Sequence, residues 1–183
     1  MNFEKYSILS LAGKHANETF EQIIKRKIKD IQNTGQTFWV ENSRQMYPDI
    51  VKSFNDLANN EKIQLDCILY KGKDTQDTKT SYEFKEYSQD KKNWKEIDSK
   101  MSKVTGKLSN FSHAMVFDKL KLVNNEMLNL KNYVQYLKET PIRNYPSDNT
   151  FCAIKKHDEI ELKQSREIFA IGRIHKLCSV WLR

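Results

Sequence analysis

The tryptophans and the lysines beside them carry the most suggestive chemistry in the chain. Trp94 lies in QDKKNWKEID, flanked by Lys91, Lys92 and Lys95, in a segment with little other apolar content. Bases stack on aromatic faces and lysine ammonium groups follow a phosphate backbone, so this mixture suits single-strand or flipped-base recognition. The competing reading makes Trp94 a plug that anchors a long loop, because large aromatics are mostly buried. Trp39 follows Phe38 in the run TFWV, where strand alternation sends the two side chains to opposite faces and takes one of them out of the main core. Ser43 and Arg44 come directly after that run, and Arg173 lies in a later apolar run that carries a glycine. Trp39, Ser43, Arg44, Lys92, Trp94, Lys95 and Arg173 form the candidate nucleic-acid-binding set. Trp181, between Val180 and Leu182, reads as a core residue.

A catalytic alternative uses carboxylates. Asp66 sits in the strand-like run IQLDCILY, and Glu83-Phe84-Lys85 follows seventeen residues later. An acid on one strand and E-x-K on the next resembles the layout with which PD-(D/E)XK nucleases hold a divalent metal and a water-activating lysine. The pattern is common by chance in a chain rich in lysine and glutamate, and SYEFKEYS is more polar than the buried strand such a site uses. Lys14 and His15, in GKHANET ahead of the first helix, offer an anion site on backbone N–H groups, or an ordinary capped turn. The phosphate-loop pattern G-x-x-x-x-G-K-[ST] is absent. Lys27 falls inside the apolar arc of that helix, where it either snorkels past the rim or meets a carboxylate or phosphate.

Other chemistries are disfavoured. Cys67, Cys152 and Cys178 each lie within an apolar run, and neither they nor the four histidines show paired ligand spacing. They read as small core residues of a reducing compartment, with no metal site. G-x-S-x-G, the kinase glycine loop and G-x-G-x-x-G are missing, and only five glycines are present, so no nucleotide cofactor is expected.

The elements that must position these residues follow from periodicity. Tyr6 to Leu11 predicts a strand. Asn17 or Thr19 caps a helix carrying Phe20, Ile23, Ile24, Ile28 and Ile31, with Gly35 placed for a left-handed stop. Strands are predicted at Thr37 to Val40 and Ile63 to Tyr70, with a helix from Pro48 to Asn59 between them. Lys71 to Thr80 is a polar loop, and 81–111 lacks a clear period and reads as a functional excursion. His113 to Val123 is a strand, Leu128 to Glu139 a short helix, and Thr150 to Lys155, Arg166 to Ile174 and Ser179 to Arg183 closing strands. The expected fold is a single α+β domain over 1–183, with a mixed, curved sheet or small barrel flanked by two to three helices and a loop excursion at 71–112. Nine Phe, eight Tyr and three Trp argue against disorder. No apolar run reaches the roughly 18 residues needed to span a bilayer, and the N-terminus lacks signal-peptide features, so a cytoplasmic chain with no membrane partner is expected. The balance of 31 Lys+Arg against 24 Asp+Glu, a net +7, suits a polyanionic partner.

Two stretches resemble the PUA-like superfamily, which includes the YTH and EVE modules. FWVENSRQMYPDIVKSF (Phe38 to Phe54) is similar to the YTH opening, a strand leading through a Ser-containing turn into a helix, and EIFAIGRIHK (Glu167 to Lys176) is similar to a late glycine-bearing strand of EVE and PUA domains. The resemblance covers about a quarter of the chain. It implies a barrel-like α+β fold that binds RNA or modified DNA, with Trp39 and Trp94 as candidate pocket aromatics. The leading expectation is a nucleic-acid-binding module without catalysis. A metal-dependent nuclease using Asp66, Glu83 and Lys85 is the second reading, and a basic inhibitor or adaptor of a nucleic-acid enzyme, acting on a protein partner, is the third.

Overall fold

A computed structural model describes residues 6–12, 18–41, 43–71, 81–110, 112–129, 133–135, 152–156 and 165–183. The first half alternates as the periodicity predicts: β1 (Tyr6–Ala12), α1 (Phe20–Thr34), β2 (Thr37–Glu41), a 3-10 turn (Arg44–Met46), α2 (Pro48–Asn60) and β3 (Asp66–Lys71). Local chemistry sets the helix ends. The Thr19 hydroxyl accepts from the Gln22 amide at 3.3 Å while the Gln22 side chain accepts from the Thr19 amide at 2.7 Å, a capping box that satisfies two exposed donors. Gly35 closes α1 in the left-handed region, φ 79°, and its N–H donates to the Ile31 carbonyl. Pro48 opens α2, where its missing N–H costs nothing.

The second half is strand-rich: β4 (Tyr82–Phe84), β5 (Glu86–Ser88), β6 (Lys95–Glu96), β7 (Val104–Gly106), β8 (His113–Asn129), β9 (Tyr133–Gln135), β10 (Cys152–Lys156) and β11 (Ser165–Leu182). The main sheet runs β2-β8-β11-β3-β1-β10-β9, with β5 and β6 added to the far end of β11 and β4–β7 forming a separate pair. Among the described strands only β1 and β3 are parallel, which makes the sheet mixed. The class is α+β, a sheet flanked by helices, as expected. Among the described strands the sheet stays open: β2 and β9 end it without meeting, so it is not a barrel.

Three expectations change. The described parts of the predicted helix from Leu128 to Glu139 are strand: Leu128 and Asn129 end β8 opposite Arg166 and Ser165, and Tyr133–Gln135 form β9. Pairing with neighbouring strands has overridden a weak helical period there; residues 130–132 and 136–139 lie outside the described residues. The two closing strands at 166–174 and 179–183 are one strand, β11, whose register on β8 shifts between Ile174 and Ser179, where Cys178 takes φ 55°. A bulge bends the strand there without ending it. The excursion, described over 81–110, contributes four short strands: β5 and β6 extend the main sheet beside β11, while β4 and β7 pair with each other and pack through Phe84 and Val104 on the sheet face away from the helices.

Each face has its own core. On the helical side Phe20, Ile24, Trp39, Phe54, Leu69 and Phe117 pack together; on the other, Phe38, Phe84, Val104, Val116, Val180 and Leu182 do. Phe38 and Trp39 do point to opposite faces, and both are buried. Gly172 lies against Phe117, whose ring carbons would stand 2.8 Å from any Cβ placed there. No helix among the described residues is long and apolar enough to cross a membrane.

Candidate nucleic-acid interface

The corner where β5 and β6 join the end of β11 gathers aromatic and cationic side chains. Trp181 is paired with His113 on one side and Ser88 on the other, so its indole shares their face. That face is opposite to the one holding Val180 and Leu182. Tyr47, at the start of α2, lies across the Trp181 ring at a centroid distance of 5.1 Å, and His113 stands edge-on at 5.8 Å. Trp181 and Tyr47 are half-buried.

The turn between β5 and β6 supplies the charge. Asp90 organises it: one carboxylate oxygen accepts from the Lys92 and Asn93 amides, each at 2.8 Å, and from the Ser88 hydroxyl at 2.9 Å. Those backbone donors, with the Asn93 side chain, hold its pKa well below the usual carboxylate range. The turn needs a left-handed residue at Lys91, φ 60°. From there the Lys91 ammonium sits 3.6 Å from the Trp181 ring centroid, and the Lys91 carbonyl accepts from the Trp94 indole N–H at 3.1 Å. Lys91 therefore joins the two tryptophans. Trp94 is half-buried, with the Arg183 guanidinium 4.3 Å over its ring. Arg183 is itself held by Glu86 at 2.7 Å.

Of the candidate binding residues, Trp94 and the exposed Lys92 belong to this corner. Arg44 is exposed in the 3-10 turn that leads to Tyr47, and Ser43, just before that turn, is half-buried. Lys95 is opposite Tyr87, which packs on Phe38, so its side chain starts from the other face. Trp39 lies in the helical-side core, 8% exposed, with its indole N–H on the Ser10 hydroxyl at 3.2 Å; it offers no face to a base. Arg173 is eight residues from Trp181 along β11, beside Asp118 at 2.5 Å. Lys14 and His15 lie outside the described residues.

The structure does not bring the nuclease triplet together. Asp66 is opposite Arg173, whereas the amides of Lys85 and Glu86 donate to the Arg183 carbonyl, ten residues further along β11 or about 30 Å of extended strand. Glu83 is taken up by Lys85 at 2.5 Å and Lys103 at 3.2 Å, which lower its pKa. Lys27, inside the apolar arc, donates to the Phe38 carbonyl of β2, the strand at the sheet edge. Burial, more than any neighbouring charge, lowers its pKa to about 8. It does not snorkel; it is buried and covers a backbone acceptor on an edge strand.

The residues missed by sequence reasoning are Tyr47, Trp181 and Arg183; for Lys91 the sequence shows its place beside Trp94 but not the one on Trp181. Trp181 had a usable signal: alternation in SVWLR places it opposite Val180 and Leu182, so these three cannot share one core face. The left-handed turn at Lys91 has no such signal, since it depends on the Asp90 side chain. Comparison of the chain with family models, curated proteins and solved structures returned no match.

Proposed function

We propose that the chain binds single-stranded nucleic acid, without cutting it, through the Trp94–Lys91–Trp181 corner. The observation that carries this reading is that two half-buried indoles, Trp94 of the β5–β6 turn and Trp181 of β11, are each faced by a cation of the chain. A base arriving on either ring replaces Lys91 or Arg183, and the displaced cation remains close enough to meet a phosphate. Stacking of this kind is sequence-tolerant, and the cations supply the electrostatic part. Asp90 does not oppose it, because its charge is absorbed by backbone amides. The net +7 and the PUA-like resemblance of Phe38 to Phe54, a stretch containing Arg44 and Tyr47, support the same reading. The free thiols of Cys67 and Cys178 suit a cytoplasmic location.

Fluorescence anisotropy with labelled oligo-dT and oligo-U across a salt series tests it. Binding should weaken steeply with salt, because neutralised phosphates release counterions. Trp181→Ala should cost about 1–3 kcal/mol, roughly 5- to 150-fold in Kd, and Lys91→Gln should flatten the salt slope by about one unit. Undetectable or salt-independent binding of both strands at low ionic strength would overturn the proposal and favour an acidic protein partner.

A further inference from the structure

We propose that a second site, independent of the tryptophan corner, takes a small organic anion: a carboxylate or phosphate group on an apolar body. A cavity of about 460 Å³ opens between the C-terminal half of α1 and strands β3, β8 and β11. That volume lies within the range of small-molecule sites. Its apolar lining comes from Ile28 and Ile31 of α1 with Leu120 and Ile171 of the strands. Its cations are Arg173, Lys119 and Lys121, gathered because Lys119 is opposite Arg173 and Lys121 is opposite Ile171 in the β8–β11 register.

The guanidinium is oriented for this role. Arg173 uses only its Nε on the Asp118 carboxylate, at 2.5 Å. Its two terminal nitrogens carry no hydrogen bond within the described residues, and they form the fork that meets a carboxylate or phosphate with two parallel bonds. The Asp118 charge is cancelled by Arg173, and the exposed Lys119 and Lys121 leave the rim positive even with Asp66 present. An anionic head on this rim brings its body against the isoleucines, where burial of apolar area adds affinity that a bare ion cannot gain. Arg173 thus serves a different ligand from the one met at Trp181.

Isothermal titration calorimetry with phenyl phosphate and hexanoate tests the site, with inorganic phosphate, acetate, phenol and hexanol as the separate halves. At least one whole probe should bind saturably and at least about tenfold more tightly than either of its halves, a ratio that needs both the anion and the body to contribute. Whichever of the two binds identifies the head group. R173Q should weaken that probe by about tenfold or more through loss of the two-bonded contact. Because R173Q also breaks the Asp118 pair, the K119Q/K121Q double variant, altered only at exposed lysines, provides a second arm and should weaken it as well. No saturation below about 10 mM by either whole probe would overturn the proposal. So would equal binding of bare phosphate or acetate, or affinity unchanged in both variants. Oligonucleotide affinity measured on K119Q/K121Q should stay close to the parent. A parallel loss there would make these cations part of the nucleic-acid surface and refute an independent site.

Discussion

Two regions of the molecule place a lysine beside a tryptophan, and they use the pair in opposite ways. Beneath α1, Lys27 stands 5.8 Å from the Trp39 ring, but its ammonium is directed to the Phe38 carbonyl and the indole is enclosed by Phe20 and Phe117. At the β5–β6 corner, Lys91 lies 3.6 Å from Trp181 on a ring that remains half-buried. Enclosure, not residue type, separates them. In the first region the lysine is buried and satisfies a backbone acceptor; in the second it is exposed. An aromatic–cation pair is therefore evidence for a binding surface only where the ring can be reached.

The contrast predicts unequal costs of truncation. Trp39→Ala should produce the largest effect, a loss of about 3–5 kcal/mol in urea unfolding, because the cavity lies under two aromatic neighbours. A loss under about 1 kcal/mol, typical of exposed sites, would erase the distinction between the regions. Gly172→Ala follows at about 1–3 kcal/mol, since the added methyl must displace the Phe117 ring that also packs on Trp39. A wild-type melting temperature in this variant would mean the strand yields more readily than the packing indicates.

Glu41 tests the buried region by pH. It is 2% exposed and accepts from the Ser10 hydroxyl at 2.8 Å, and desolvation raises its pKa well above the ordinary carboxylate value. The folded chain therefore keeps a proton that the unfolded chain has released, and this stability, complete below the unfolded value near 4.5, is lost as pH rises towards the folded one. Glu41→Gln keeps the acceptor for Ser10 and removes the titration. Its melting temperature should match the parent near about pH 4 and exceed it at about pH 8. A difference independent of pH would mean that Glu41 is solvated.

Where local chemistry decides, the sequence is legible. The α1 capping box, the Gly35 stop and the Pro48 start follow from residues within one helical turn of the feature they set. What depends on distant strands is not. Leu128 to Glu139 contains helical spacing, yet Leu128 and Asn129 pair with β11, and no local signal reports a partner nearly forty residues away. The bulge at Cys178 joins two apparent strands without a glycine or proline to mark it. The tryptophan corner is half legible in the sequence: the lysines around Trp94 point to one ring, while the second ring comes from far along the chain. Asp66 and Glu83 fail for the same reason, since seventeen residues of sequence say nothing about which sheet each joins.

Trp94 gives the smallest expected change in stability and the sharpest test of the comparison. Its indole is held by one hydrogen bond to the Lys91 carbonyl and covered by one guanidinium, with no aromatic neighbour among the described residues. Trp94→Ala should therefore lower stability by less than about 1 kcal/mol, while Asp90 keeps the turn and Lys91 in place. If the corner stacks a base, oligonucleotide binding should still fall by about 1–3 kcal/mol. Trp94→Phe keeps a ring but loses the N–H, so it should recover most of that affinity. Recovery by Phe separates stacking from the anchoring role, because anchoring through the Lys91 carbonyl needs the indole N–H and would fail equally in both variants. A stability loss as large as that of Trp39→Ala, with binding unchanged, would turn Trp94 into a loop anchor and leave Trp181 as the only stacking ring at the corner.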